Sequence, residues 1–375
     1  MRLNPRSLAL LTERRPLLDQ DLRVAPPGGD LTLDWCDPAS TEAPEGWAQC
    51  VREARLHQLW DWRVVHTVTR ERGGGVVAGM LRDDRRVVGL VTARLHTLRR
   101  GYPLGGAVDV EHLANGALPG IGLQGPLPGT LDPDGPPDPD LLPAAVRAVE
   151  AALRARFGRR LQAVAFRQIY AGELPAVQRG MTLVREGKSV GVLVNRFADY
   201  EDYLRSLSRS RRQDQRRLVR VIDADPELDV AFGPRAQSGI DLEEFWRLTA
   251  EVSRRNHLER WPPRRIWSPT LLDTLTSLPD VQILSYTTPG PGGRLVAATA
   301  LFDHPTAPAL GPWGAPPLGD GRRSGLWFDH FARQLRWMID GGRRVVLGGK
   351  GAQEAKEALG FTFHPQWTVL RRLTG

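Results

Sequence analysis

One order of elements occurs twice in this chain, about 205 residues apart at its start and about 180 at its end, and that recurrence limits the fold more than any single motif does. Residues 76–95, VVAGMLRDDRRVVGLVTARL, are two β-branched runs around a charged turn and read as a hairpin. Residues 281–303, VQILSYTTPGPGGRLVAATALFD, read as a second hairpin with a longer Pro/Gly turn. After each comes a Pro/Gly-rich crossing, then an amphipathic helix (141–157 and 325–340), then a strand (161–166 and 343–347). Each unit closes on a Gly-led strand, Gly180-Met181-Thr182-Leu183 in one and Gly360-Phe361-Thr362-Phe363 in the other. Strands alternating with helices imply an α/β layer and argue against a sandwich or a helix bundle. Helical segments also precede each hairpin, at 45–62 in the first unit and at 241–255 and 268–278 in the second. A further helix is expected over 198–223, with Glu201 and Asp202 in its first turn and arginines toward its end, as the helix dipole favours. The expected organisation is an N-terminal extension over 1–30, one unit over 31–194 and a second over 195–375.

Two domains of ordinary size agree with 375 residues, of which 41% are apolar and 25% charged. No run of about 18 apolar residues is long enough for a membrane span. The N-terminus has only the short apolar patch LALL before Glu13, Arg14 and Arg15, which does not read as a secretory signal and predicts a cytoplasmic protein. Cys36 and Cys50 are the only cysteines, and the eight histidines form no HExxH or other tight ligand spacing, so no metal is expected. The net charge of +8 would suit a polyanionic partner. The basic class is nearly all arginine, however, with Lys188, Lys350 and Lys356 the only lysines, and that bias matches a GC-rich coding sequence as well as selection for binding.

Residues 349–364, GKGAQEAKEALGFTFH, first suggest a phosphate loop. A P-loop needs GxxxxGK followed by Ser or Thr, because backbone amides cradle the phosphates and the hydroxyl holds magnesium. Here Gly351 follows Lys350, and Arg344 stands where the first glycine belongs. A dinucleotide GxGxxG fails at Glu354, and no GxSxG elbow occurs anywhere.

The ending EAKEALGF, after a strand and a hairpin-helix unit, resembles the GNAT acyltransferase superfamily, whose last helix and strand commonly close on LGF. The resemblance is closer to its double-domain branch, the Fem-type aminoacyl transferases and FemAB-like acyltransferases. The segments YEDYLRSLSRSRRQDQRRLVR, FWRLTAEVSRR and VVLGGKGAQEAKEALGF carry it over about 195–370, whereas 30–194 is covered only through the repeat. This resemblance implies two tandem GNAT-like domains, each a mixed twisted sheet flanked by helices, the first degenerate and the second holding the active site. In single-domain relatives a tyrosine four residues before the Gly of LGF often acts as general acid. Here that position is Lys356, as in the Fem-like branch, and its first-unit counterpart is Ala176. A lysine ammonium is able to protonate or hydrogen-bond a leaving group; the alternative is a solvated helix lysine.

The superfamily also holds the pyrophosphate of coenzyme A on backbone amides at a helix N-terminus. The matching segment is Arg322-Arg323-Ser324-Gly325-Leu326-Trp327, in which Trp327 replaces a small residue, and a plain helix-capping turn is the alternative reading. The first-unit counterpart, LDPDGPPDPDLLP, is acidic and proline-rich, so acyl-CoA as co-substrate is expected on the second unit alone. Arg205, Arg209, Arg212, Arg216 and Arg220 are spaced to line one helical face, which suits a polyanion such as tRNA or serves simply as a solvated face. Arg211, His257, Arg260 and Trp261 are candidates for the substrate cleft. Three functions stand: an acyl-CoA-dependent N-acyltransferase acting on an amine of a small molecule, sugar or peptide; an aminoacyl-tRNA-dependent transferase of the Fem type; and a non-catalytic binding protein that keeps the fold.

Overall fold

A computed structural model describes residues 31–53, 56–71, 76–83, 86–96, 107–114, 141–171, 173–178, 180–257, 268–305, 307–317 and 323–373. In the first half the chain runs through β1 (Leu31–Cys36), α1 (Trp47–Glu53), α2 (Trp62–Glu71), β2 (Val76–Asp83), β3 (Arg86–His96) and β4 (Ala107–Ala114). It continues through α3 (Leu141–Phe157), β5 (Ala163–Tyr170), α4 (Leu174–Gln178), β6 (Leu183–Glu186) and β7 (Val190–Val194). The second half contains α5 (Tyr200–Ser206), α6 (Arg209–Asp223), β8 (Asp229–Pro234), α7 (Leu242–His257), α8 (Pro269–Thr276), β9 (Val281–Thr287) and β10 (Leu295–Phe302). Then follow β11 (Ala309–Gly314), α9 (Leu326–Asp340), β12 (Val345–Gly349), α10 (Gln353–Glu357), β13 (Thr362–His364) and β14 (Gln366–Arg372).

The strands form two seven-stranded sheets, ordered β1-β2-β3-β4-β5-β14-β6 and β8-β9-β10-β11-β12-β7-β13. Position by position the two orders correspond, so the recurrence in the sequence is a recurrence of topology. In each sheet four strands meander antiparallel, one parallel junction follows (β4/β5 and β11/β12), and two strands close the edge. The sixth position is exchanged: β7, which lies before residue 194, joins the C-terminal sheet, and β14 at the end of the chain returns to the N-terminal one. Pro365 separates β13 from β14; proline has no N–H to give a continuing ladder, so the chain leaves one sheet there and enters the other. Val369 of β14 is fully buried in the first-half core beside Phe166, Val149 and Leu153.

Strand β12 shows how helices cover both faces of the C-terminal sheet. Val345 and Leu347 pack with Phe245, Leu248 and Leu272 of α7 and α8, while Val346 packs with Phe331, Leu335 and Met338 of α9 and with Tyr203 of α5. This alternation is the period-two pattern of a strand buried on both sides. Helix α2 joins the first of these cores through Val64, and Tyr170 at the end of β5 joins it too, so the halves share apolar packing.

Two expected helices are broken. The 45–62 segment is α1 followed by a single 3-10 turn at Gln58–Trp60, because Trp47, Trp60 and Trp62 must all turn into one core. The 198–223 segment divides at Leu207, and the Ser208 side chain then caps α6 by accepting the Arg211 N–H. Arg205 consequently sits on a different helix from Arg209, Arg212, Arg216 and Arg220.

Candidate functional site

The parallel junctions distinguish the halves. Between β4 and β5 four residue pairs are in register, from Ala107/Ala163 to Val110/Phe166. Between β11 and β12 there is one, Ala309/Leu347, after which the strands part. Just past that pair β12 carries a bulge: Leu347 faces Val192 and Gly349 faces Gly191, leaving Gly348 without an opposite residue. Gly348 has no room for a side chain, since a Cβ there would stand 2.6 Å from Cε1 of the buried Phe361.

Lys356 reaches this bulge. It lies on α10 behind a turn in which Gly349 and Ala352 both have positive φ, and its side chain is 6% exposed. Its Nζ donates to the Gly348 carbonyl at 2.5 Å and to the Gly351 carbonyl at 2.6 Å. It is therefore a buried cation bound to the backbone where the strands part, not a solvated helix lysine. Burial pushes its pKa down from 10.5 to about 8.

His330 on α9 is the second buried titratable group on this face. Its ring stacks on Trp313 of β11 at 4.6 Å between centroids, and Phe331 and Trp327 enclose it. Its Nδ1 has no hydrogen-bond partner. Burial above all, with the charge of Lys356 acting in the same direction, lowers its pKa to about 3, so the imidazole is neutral. Beside it, Asp329 accepts from Tyr286 at 2.7 Å and from Arg333 at 2.6 Å, and Arg333 also reaches Asp223, which ties α9 to β9 and α6.

The expected pyrophosphate turn leads directly into α9, whose N-cap is Gly325 at φ +89°. Arg323 is already committed to Asp225 and, at 2.8 Å, to Glu227. Ser324 is exposed. Leu218 of α6 lies against Gly325, so close that a Cβ there would stand 2.2 Å from its Cδ1. Arg211 places its guanidinium over the Phe328 ring at 5.8 Å, at the start of α9. The helix of His257 ends at that residue, and Arg260, Trp261 and Arg322 lie outside the described residues. Of the arginine row, Arg216 pairs with Glu201 and Arg205 with Asp202, while Arg209 and Arg220 are exposed.

Sequence reasoning did not single out His330, Asp329 or the bulge. A histidine inside an amphipathic helix carries no spacing signal; the available hint was Gly348-Gly349 at the end of an otherwise β-branched strand. Among the described residues no three His, Cys, Asp or Glu side chains are grouped to hold a metal ion, and no helix is long and apolar enough to cross a membrane.

The architecture is a tandem GNAT-like fold, which the chain shares with the solved structures that follow. The solved structure of L-PGS from Bacillus licheniformis superposes with a TM-score of 0.56 at 11% identity, covering 89% of this chain and 93% of that one. FemX superposes with a TM-score of 0.56 at 9% identity, covering 86% of this chain and 95% of FemX. A C-terminal DUF2156 domain from Agrobacterium fabrum gives 0.53 at 14% identity, with 88% and 91% covered. No family model and no curated protein sequence matches the chain.

Proposed function

We propose that this chain is a transferase that moves an acyl group from an activated ester or thioester onto an amine, at the point where β11 and β12 part. The observation that carries the reading is the single register pair of that parallel junction, with a buried ammonium beside the bulge. Strands that separate leave backbone N–H groups unclaimed by the ladder, and such groups stabilise the oxyanion formed when an amine attacks a carbonyl. The C–N bond forms, the bond to the departing sulfur or oxygen breaks, and the proton lost by the amine ends on the leaving group. Lys356 uses two of its three N–H donors on carbonyls, and the third is available to hold the leaving group. Held by the fold, the reactants need little further from side chains.

Of the two donors that the resemblance implies, acyl-CoA needs an open anion cradle at the start of α9, formed by Arg322, Arg323, Ser324 and Gly325. The pairing of Arg323 with two carboxylates and the contact of Leu218 with Gly325 favour the second donor, an aminoacyl-tRNA, whose phosphates would lie outside on the exposed arginines of α6. Calorimetry against coenzyme A and filter retention of bulk tRNA decide between them. Coenzyme A binding supports the first donor, and tRNA retention without it supports the second. Binding of neither returns the chain to the class of non-catalytic proteins with this fold.

A further inference from the structure

A groove of about 300 Å³ lies between α7 and the start of β10, on the sheet face opposite α9. Its floor is apolar, made by the buried Leu248 and Leu295, and Pro316 forms a wall. Its polar lining is Arg247, Arg294 and Glu251. These charges do not cancel locally. Glu251 is held by Arg254 at 2.9 Å. Arg247 approaches Glu244 only to 3.7 Å, and that carboxylate also accepts the Leu295 N–H at 2.9 Å. Among the described residues no carboxylate pairs with Arg294. Two guanidinium groups with donors to spare, at the edge of a cavity with an apolar floor, form a receptor for an oxyanion carried on a short apolar stem.

The groove is also well placed. Pro316 follows β11 by two residues, so the groove opens at the C-terminal end of β11, the end at which it parts from β12. Helix α7 is locked against that end, since a Cβ on Gly314 would stand 2.9 Å from Leu248 Cβ and 3.0 Å from the Thr249 nitrogen. Arg255 fastens the outgoing chain by donating to the Ala315 carbonyl at 2.8 Å.

We infer that Arg247 and Arg294 form an oxyanion subsite that holds a carboxylate or phosphate group of the acceptor. Its assignment to the acceptor rests on the transferase reading; the oxyanion site does not. The test needs no turnover. The full-length protein is treated with phenylglyoxal at constant ionic strength in chloride, inorganic phosphate or N-acetylalanine, and modification is followed by peptide mass mapping. Either oxyanion at a few times its dissociation constant is expected to slow modification of Arg247 and Arg294 by about threefold relative to chloride. Exposed Arg70 on α2 should stay unchanged. Protection by phosphate alone identifies a phosphate-bearing acceptor, and protection by N-acetylalanine alone a carboxylate-bearing one. Arg294→Gln should abolish the protection of Arg247 while leaving the melting temperature unchanged, because the side chain lies at the surface. Equal rates in all three salts, or equal slowing at Arg70, would overturn the site and leave the transferase reading standing.

Discussion

Both halves interrupt their central ladder at the same place, and they fill the interruption with opposite chemistry. In β12 the bulged residue is Gly348, its carbonyl held by the Lys356 ammonium, and the neighbouring parallel strand turns away. In β5 two residues, Arg167 and Gln168, face one residue of β14, and Gln168 is forced to φ +64°. The groups nearby are a buried carboxyl, Glu173, and the buried Tyr170 and Gln366. Each has a polar atom without a hydrogen-bond partner. There the parallel junction stays zipped over four pairs. Both halves carry a break in the ladder, but only in the second do the parallel strands also separate, and on the proposed reading that separation is what leaves backbone for a substrate. A bulge beside a closed junction is only a place where polar groups are buried.

The change expected to damage this contrast most is Lys356→Met. It removes the cation and orphans the Gly348 and Gly351 carbonyls. Transfer should fall about 10³-fold, within the usual range for a positioned proton donor. Glu173→Gln, a change to the buried carboxyl beside the first-half bulge, should leave the rate unchanged. Because the Lys356 pKa is lowered to about 8, wild-type transfer should also decline as pH rises through that value and the ammonium loses its proton. A pH profile of kcat/KM that is flat from 7 to 9 would remove the lysine from the chemistry and leave it as a backbone tie.

The difference in pKa between the halves gives the next largest effect. Burial raises Glu173 from 4.5 to about 8, with the Tyr170 N–H opposing the shift only in part. Below its unfolded pKa the carboxyl is protonated in both states. Above it the folded state keeps a proton that the unfolded chain releases, so this contribution to stability is lost as pH rises toward 8. Between pH 5 and 7 the loss should be about 2 kcal/mol, and Glu173→Gln should abolish that slope in urea denaturation. An unchanged slope would mean that the carboxyl has a partner in solution.

Much of this contrast was legible in the sequence. The two hairpins, α3 and α9 followed from runs of β-branched residues and from three- and four-residue apolar spacing, signals that survive without knowledge of the partner. Lys356 followed from aligning the two units and from the likeness of EAKEALGF to a known ending. The splay did not, because it is a property of register between Ala309 and Leu347, and no residue type encodes the point at which two strands stop pairing. The exchange of β7 and β14 was equally hidden. A strand shows which of its faces is apolar but not which sheet it enters, and Pro365 was the local trace. His330 and Glu173 are single polar residues in apolar surroundings, and single residues have no period.

The turn before α9 offers a smaller effect. Gly325 combines a positive φ with the contact of Leu218, so Gly325→Ala should cost about 1 to 2 kcal/mol from backbone strain and overpacking together. Thermal denaturation measures it, and a neutral result would show that α6 can withdraw from the turn.

The smallest effect addresses the donor. Arg323 is part of the expected pyrophosphate turn, yet it faces Asp225 and Glu227, both in the loop between α6 and β8. Both pairs are at least partly open to solvent, which screens them, so Asp225→Asn with Glu227→Gln should barely move the melting temperature. The same pair of changes releases the guanidinium. If the turn is a coenzyme A cradle held shut by those carboxylates, the double variant should bind coenzyme A several-fold more tightly than wild type, and Arg323→Gln added to it should cancel the gain. If the turn only caps α9, coenzyme A binding should be equally absent from all three proteins, and the exposed arginines of α6 become the surface to test with tRNA. Because one carboxylate pair is changed without touching β11, β12 or Lys356, the outcome reports on the cradle alone and leaves the comparison of the two bulges intact.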